Sequence, residues 1–313
     1  MLVSVVIPCY NSESSIGKVV EMTIEEFEKM GVKAYEFILV NDCSKDQTFE
    51  AIKRLGEKYP FVHGISLMRN FGQHNALMAA LNYAGGDYII GMDDDLQTHP
   101  SQISILLKKI EEGYDLVYGE YDKKKGSFFK NLSSKFNKVT SRVLLGRPKD
   151  VVSSNFWVIT KGVRNELIKY KNYNPYIDAL FYRTTHNIAN VTIEHFKRDS
   201  GNSNYTFRKL VRLWLAYWNY SVIPLRISSV LGMGFAGVGF AAAIVTVIRK
   251  IMTPDMPVGW ASIICLMLVF FGLVLLVLGI IGEYLGKIIL SLNNTPQFII
   301  REVINIENSD EIQ

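Results

Sequence analysis

The stretch Tyr88-Ile89-Ile90-Gly91-Met92-Asp93-Asp94-Asp95-Leu96-Gln97 sets the reading of this chain: an apolar run that stops in three consecutive carboxylates. Its first half reads as a buried strand, and the acids fall where the carboxyl end of that strand would open into solvent. Three carboxylates at the mouth of a sheet repel one another, so something cationic must offset them. Hard oxygen ligands of this kind suit Mg²⁺ or Mn²⁺, which in turn bridges to phosphate oxygens. In an extended segment Asp93, Asp95 and Gln97 would point to one side and Asp94 to the other. Taken alone, an Asp-x-Asp is common by chance, and a solvated acidic turn is its plainer reading.

The neighbouring sequence makes the strand part of a sheet. Val3–Ile7, Phe37–Val40, Val62–Ser66, Tyr88–Met92 and Leu116–Tyr118 read as buried strands, and Ile16–Met30, Gln47–Tyr59, Asn75–Ala84 and Ser101–Glu112 as helices. Strands alternating with helices predict an α/β fold with a mostly parallel sheet covered on both faces. In such sheets ligands collect at the carboxyl ends of the strands. The loops there are Pro8–Ser14, Asn41–Asp46, Met68–His74 and Asp93–His99.

The rest of the 313 residues changes character. Nine Lys and Arg side chains fall between Lys123 and Lys149, a solvated basic helix or a surface that meets phosphate or anionic headgroups. Residues 204–226 mix Tyr205, Phe207, Trp214, Tyr217, Trp218 and Tyr220 with Arg208, Lys209, Arg212 and Arg226, which describes an interfacial helix. Two charge-free runs follow, 22 residues from Ile227 to Ile248 and 25 from Val258 to Gly282. At about 1.5 Å per residue each can cross a hydrocarbon core of roughly 30 Å. Six Lys and Arg flank the pair of spans against two in the connector, which places both ends inside and the turn outside. Met1 leads straight into Leu2–Ile7 with no signal peptide, so the N-terminal domain is expected in the cytoplasm.

A net charge of +4 is too small an excess to argue for nucleic acid, and the two apolar runs exclude a wholly soluble, disordered or disulfide-stapled protein. Cys9, Cys43 and Cys265 are far apart and read as free thiols in a reducing compartment. His74 reads as a structural residue. The other histidines have no ligand spacing, and nothing suggests a covalent nucleophile.

Four motifs stand at successive strand ends: Val5-Val6-Ile7-Pro8-Cys9-Tyr10-Asn11, Val40-Asn41-Asp42-Cys43-Ser44, Arg69-Asn70-Phe71-Gly72-Gln73-His74 and the acidic cluster. This constellation resembles glycosyltransferase family 2, whose catalytic domain has the nucleotide-sugar-binding GT-A fold. Asp93-x-Asp95-Leu96-Gln97, Lys197-Arg198-Asp199-Ser200-Gly201-Asn202-Ser203-Asn204-Tyr205, Pro224-Leu225-Arg226 and Ile281-Gly282-Glu283-Tyr284-Leu285-Gly286-Lys287 resemble the bacterial polyisoprenyl-phosphate glycosyltransferases more closely. That group includes the bactoprenol glucosyltransferases and is related to dolichol-phosphate mannose synthase.

The resemblance implies a membrane-bound, inverting transfer of a sugar, by default glucose, from a UDP-sugar to a polyisoprenyl (undecaprenyl) phosphate at the cytoplasmic face of the inner or plasma membrane. A lipid phosphate is already an anion near neutral pH, so it needs no general base. By the same resemblance Asp42 accepts the uracil N3–H, Pro8 and Tyr10 pack the base, and Arg69 lies near base and ribose. Asp93 and Asp94 join the nucleotide-sugar set, and Asp93, Asp95 and Gln97 hold a Mg or Mn ion. Asp95, Arg198 and Arg142 are the expected catalytic side chains. Lys123, Lys130, Lys135, Ser203, Tyr205, Arg208 and Arg212 are expected to face the acceptor and the membrane.

Three positions depart from the family pattern: Asn41 stands for Asp, Ser12 for Glu, and Trp157 for the Arg of a Gly-x-Phe-Arg motif. Arg142, Arg198 or the basic stretch would then supply the missing cation. Related enzymes often assemble in the membrane, so a homo-oligomer is a partner the resemblance allows. The expected organisation is a catalytic domain over 1–203, an interfacial helix over 204–226, spans at about 227–248 and 260–281, and a cytoplasmic tail over 283–313. The rival readings are a polysaccharide-extending family 2 enzyme, which lacks support because no Gln-x-x-Arg-Trp occurs, and a non-catalytic membrane adaptor, which the intact Asp93-x-Asp95 disfavours.

Overall fold

The computed structural model describes residues 1–96, 98–121, 147–194, 259–293 and 295–306, with isolated positions at 142 and between 225 and 252. The chain divides into two units, 1–206 with 294–313, and 207–293.

In the first unit, five strands and four helices alternate as the sequence predicts. They are β1 (Leu2–Cys9), α1 (Ile16–Met30), β2 (Ala34–Asn41), α2 (Thr48–Lys58), β3 (Val62–Leu67), α3 (Gln73–Tyr83), β4 (Tyr88–Gly91), α4 (Ile103–Ile110) and β5 (Leu116–Tyr121). Helix α1 shows why local pattern was enough. Ile16, Val19, Val20, Thr23 and Phe27 fall on one stripe and are buried, and Gly31 in the left-handed region ends the helix with its amide on the Glu28 carbonyl. Phe27 meets Tyr35 and Phe37 at ring separations of 5.0 and 6.4 Å, anchoring α1 to β2.

Three strands are additional to the sequence expectation: β6 (Trp157–Thr160), β7 (Ile188–Ile193) and β8 (Ile300–Ile304); helices α5 (Lys161–Leu167) and α6 (Ile177–Thr184) lie between β6 and β7. The eight strands run in the order β7-β5-β6-β4-β1-β2-β3-β8. Strands β4, β1, β2 and β3 are parallel, β6 is antiparallel to β4 and β5, and β8 is antiparallel to β3. Strand order reverses between β1 and β4, so the loops after these two strands part and leave a crevice. The stretch after the apolar helix, expected as a tail, supplies β8 and covers the β3 edge.

In the second unit, helix α7 runs from Trp260 to Leu292, about 50 Å at 1.5 Å per residue. Among the described residues it is the helix long and apolar enough to cross a membrane, with a mean hydropathy of 2.2 over its apolar part. Leu266, Phe271, Leu275, Leu278 and Ile288 are exposed along it. It extends beyond the span expected at 260–281. Position 227 and most of the first apolar run lie outside the described residues.

Candidate active site

An open cleft of about 410 Å³ lies at the β1–β4 switch point. Pro8, Tyr10, Asp42, Asp93, Asp94 and Asp95, all expected there, line it. So do Asn70, Gly72, Gln73 and Asn155.

The β1 and β2 loops are locked together. The Asn11 amide donates to Ser44 Oγ (3.0 Å), the Lys45 amide to Asn11 Oδ1 (3.0 Å) and the Ser12 amide to Thr48 Oγ1 (2.8 Å). Asn41 explains its own departure from the family pattern: its amide group donates to Ser66 Oγ while its Oδ1 accepts the Ser44 amide. An ionised Asp could only accept.

Asp42 is buried, and its two oxygens accept the backbone amides of Phe71 (2.7 Å) and Gly72 (2.8 Å). Burial raises its pKa while these two bonds oppose the rise. Its observed work is to fold the β3–α3 loop, a bracing role that the sequence expectation at the uracil edge did not include. Gly72 has φ +92°, which a residue with a Cβ rarely adopts, and starts α3 there. Arg69 is exposed with its guanidinium over the Phe71 ring and is not among the residues that line the cleft, and Tyr10 is 47% exposed.

Asp93 is half-buried. Gln73 Nε2 donates to its Oδ1 and Asn155 Nδ2 to its Oδ2, both at 2.9 Å. Burial pushes its carboxyl from 3.8 up to about 7; the charges of Asp95 and Asp94 add to the rise, and the two amides oppose it. The Tyr10 amide donates to Asp94 Oδ2 (3.2 Å), and burial raises Asp94 too. Tyr121 is pushed up to about 12 by burial and by Asp93 and Asp95, so the negative field reaches β5. The expected alternation of the three acids fails because β4 ends at Gly91 and Leu96 turns into the left-handed region. All three acids reach the same cleft.

These residues fit a divalent cation. The charges of Asp94 and Asp95 raise Asp93, that of Asp95 raises Asp94, and a cation would reverse that cost. Among the described residues no three acidic, imidazole or thiol groups form a cage by themselves. Mg²⁺ and its relatives typically take one or two carboxylates and complete their shell with substrate phosphate and water.

Gln73 and Asn155 were missed by sequence reasoning. The signal for Asn155 lay in strand register: β4 and β6 pair Ile90 with Val158 and Gly91 with Trp157, and the same antiparallel step carried on sets Asp93 opposite Asn155. Trp157 is 2% exposed, edge-on to Phe181 at 5.1 Å, and its indole covers Gly91 so closely that a Cβ there would lie 2.2 Å from the ring. It packs the sheet and leaves no charge where the family has Arg.

Arg142, expected as a candidate for the missing cation, stands apart from the residues that line the cleft. It is exposed and donates to the Lys149 carbonyl (3.0 Å). The buried Arg147 instead acts electrostatically on Asp178 and Tyr182, and Asp178 accepts the Tyr118 hydroxyl (2.7 Å). His74 is edge-on to Tyr176 at 4.8 Å, and burial lowers its pKa to about 4, as befits a structural histidine. Cys9 is buried, Cys43 is partly so, and both are free. Gln97, Lys123, Lys130, Lys135, Arg198, Ser203, Tyr205, Arg208 and Arg212 lie outside the described residues.

The comparisons agree with this architecture. The pattern of glycosyl transferase family 2 matches residues 4–177. The uncharacterized glycosyltransferase YkcC of Bacillus subtilis (strain 168) is 31% identical over 97% of this chain and 95% of its own length. The undecaprenyl-phosphate 4-deoxy-4-formamido-L-arabinose transferase of Proteus mirabilis is 29% identical over 99% and 96%. Among solved structures, mannosyl-3-phosphoglycerate synthase from Rubrobacter xylanophilus superposes with a TM-score of 0.53 at 20% identity, over 73% of this chain and 75% of that one. Glucosyl-3-phosphoglycerate synthase from Mycobacterium tuberculosis, crystallised with Mn²⁺, UDP and phosphoglyceric acid, superposes with a TM-score of 0.50 at 20% identity over 69% and 76%. With a GT-A-like sheet, an acidic cleft at its switch point and a family match over more than half its length, the chain is a glycosyltransferase and belongs to glycosyltransferase family 2.

Proposed function

We propose that the protein transfers a sugar from a UDP-sugar to a polyisoprenyl phosphate at the cytoplasmic face of a membrane, releasing UDP and inverting C1. The observation that carries this reading is Asp93: a half-buried carboxyl, held by two amides beside Asp94 and Asp95, at the crevice where a diphosphate would lie. Asp93 and Asp95, with Gln97, would hold Mg²⁺ or Mn²⁺; when bound, such an ion neutralises the diphosphate leaving group. The relative crystallised with Mn²⁺ and UDP supports that choice.

The chain's own residues then divide the work. Asp42 shapes the Phe71–Gly72 turn, Pro8 and Tyr10 flank the base, and Arg69 would reach the base and ribose from the turn after β3. The acceptor phosphate attacks without a base, so the acceptor side must bring cations between two anions. Arg198, the 123–135 lysines, Arg208 and Arg212 are the residues for it, and Ser203 and Tyr205 belong to the same acceptor set.

The lipid acceptor is supported by the relatives named for undecaprenyl phosphate, which align over the apolar C-terminal third as well as the catalytic domain. A soluble acceptor would not require that third. In this reading α7 is the second span of a hairpin whose first span is 227–248, the interfacial helix is 204–226, the catalytic domain is 1–203 with β8 added, and both ends are cytoplasmic. Glucose is the donor sugar implied by the sequence resemblance, and the formamido-arabinose of the relatives is its competitor. The test is purified protein with undecaprenyl phosphate, Mn²⁺ and a panel of UDP-sugars, read by lipid mass spectrometry. A glycosyl phospholipid from one donor is expected; sugar appearing only on water or a saccharide would sink the proposal.

A further inference from the structure

After α7 the chain returns to the catalytic sheet and, before pairing along β3, passes two loops near the cleft. Gln297 is buried, and its Nε2 donates to the carbonyls of Asn172 (2.9 Å) and Tyr170 (3.3 Å), in the connection between α5 and α6. Two residues on, the Ile299 carbonyl accepts the Met68 amide (2.9 Å). Arg301 Nη2 then donates to the Met68 carbonyl (3.0 Å). Both main-chain groups of Met68 are thus held by the returning strap, at the residue where β3 has ended and the Arg69–Gly72 turn begins.

Asp42 holds the same turn from inside through Phe71 and Gly72. Asn75 makes a parallel tie, its Nδ2 donating to the carbonyls of Phe71 (2.9 Å) and Tyr173 (3.4 Å). The turn at 68–72 and the connection at 170–173 are therefore joined twice, once by Asn75 and once by the strap. Covering the β3 edge does not require this. The ladder from Gly64 to Leu67 already does it, and its register shifts between Ser66 and Leu67, next to the two side-chain ties.

We propose that Gln297 and Arg301 are positioning residues for the donor nucleotide: the strap fixes the Met68–Gly72 turn against the 170–173 connection and so sets the half of the cleft that takes base and ribose. This rests on the UDP-sugar reading above. Asp93 is tied to Gln73 and Asn155 and Asp94 to the Tyr10 amide, contacts that come from β1, α3 and the β6 loop. The strap should therefore matter for UDP and not for pyrophosphate.

The experiment is calorimetric titration of the full-length protein in detergent with UDP and, separately, with pyrophosphate, both in Mn²⁺. Arg301 is exposed, so Arg301→Met removes the donor without opening the core. Its UDP affinity should fall about 5- to 10-fold, the scale of one hydrogen bond, while pyrophosphate affinity stays within about twofold. Arg301→Lys keeps a donor and should recover most of the UDP affinity, and the buried Gln297→Met should show the same split as Arg301→Met. UDP affinity unchanged in Arg301→Met, both ligands weakening together, or a variant that unfolds would each overturn the positioning role. Wild type that fails to bind UDP would overturn the donor reading and this role with it, whereas wild type and Arg301→Met binding UDP equally would overturn this role alone.

Discussion

Replacing Asp93 by Asn should make the metal-free protein more stable above neutral pH and leave it unchanged only once the pH falls below the unperturbed carboxyl value of 3.8. The folded carboxyl titrates at about 7 against 3.8 when unperturbed, so between these values the folded state holds a proton that the unfolded chain has lost. Stability then falls as pH rises through that window and is level above it. At about 1.36 kcal/mol per pH decade the penalty is capped near 4 kcal/mol, and water at the open cleft mouth brings the expected value to about 2 kcal/mol. Asn fills the same space, and one flip of the Gln73 or Asn155 amide keeps both hydrogen bonds. For a domain of this size about 2 kcal/mol corresponds to roughly 4–8 °C in Tm. The assay is thermal unfolding by intrinsic fluorescence in chelator at pH 5 and pH 8. Asp93→Asn should melt higher than wild type by the full amount at pH 8 and by only about a third of it at pH 5, because of the window from 3.8 to about 7 only the first third or so has been crossed there. Mn²⁺ should raise the wild-type Tm more at pH 8 than at pH 5 and do less for the variant. An equal difference at both pH values would refute the reasoning, because the effect would then come from packing rather than from charge.

Asp95→Ala should abolish sugar transfer with the fold intact by circular dichroism, and chelator should do the same to wild type; full turnover in chelator would exclude the cation. Gly91→Ala should cost about 1–3 kcal/mol through collision with the Trp157 indole, measured by chemical denaturation, and pairing it with Trp157→Phe should recover part of that loss. A cysteine label at Asp255 should react only from outside the membrane and one at Ser44 only from the cytoplasm; the reverse at Asp255 would break the hairpin assignment.

The first five strands and four helices were legible because each rests on short-range evidence. A buried β-branched run or a stripe such as Ile16, Val19, Val20, Thr23 and Phe27 announces itself within one window. Strands β6 and β8 give no such notice. Trp157–Thr160 is four residues long, and its burial comes from β4 and β5 on either side. Ile300–Ile304 pairs with β3 more than 230 residues earlier, beyond the whole apolar region, and Arg301 and Glu302 in its middle read as surface. Non-local pairing is decided by what the partner strand lacks, and no local pattern encodes that.

The site divides along the same line. Asp93, Asp94 and Asp95 could be read directly, because clustered like charge demands compensation wherever it folds. Their individual directions could not, since alternation holds only while the backbone is extended and β4 stops two residues before the first acid. Gln73 and Asn155 carry no charge, and nothing in their neighbourhood marks them until the sheet is assembled. What assembles it is the antiparallel step between β4 and β6: with Gly91 opposite Trp157, two residues onward on one strand and two back on the other bring a carboxylate and an amide face to face at 2.9 Å. The bulky indole that departs from the family's Arg closes over Gly91 in that same register. The departure and the clamp on Asp93 are therefore two consequences of one strand pairing, and a substitution that slipped β6 by a residue would lose both together.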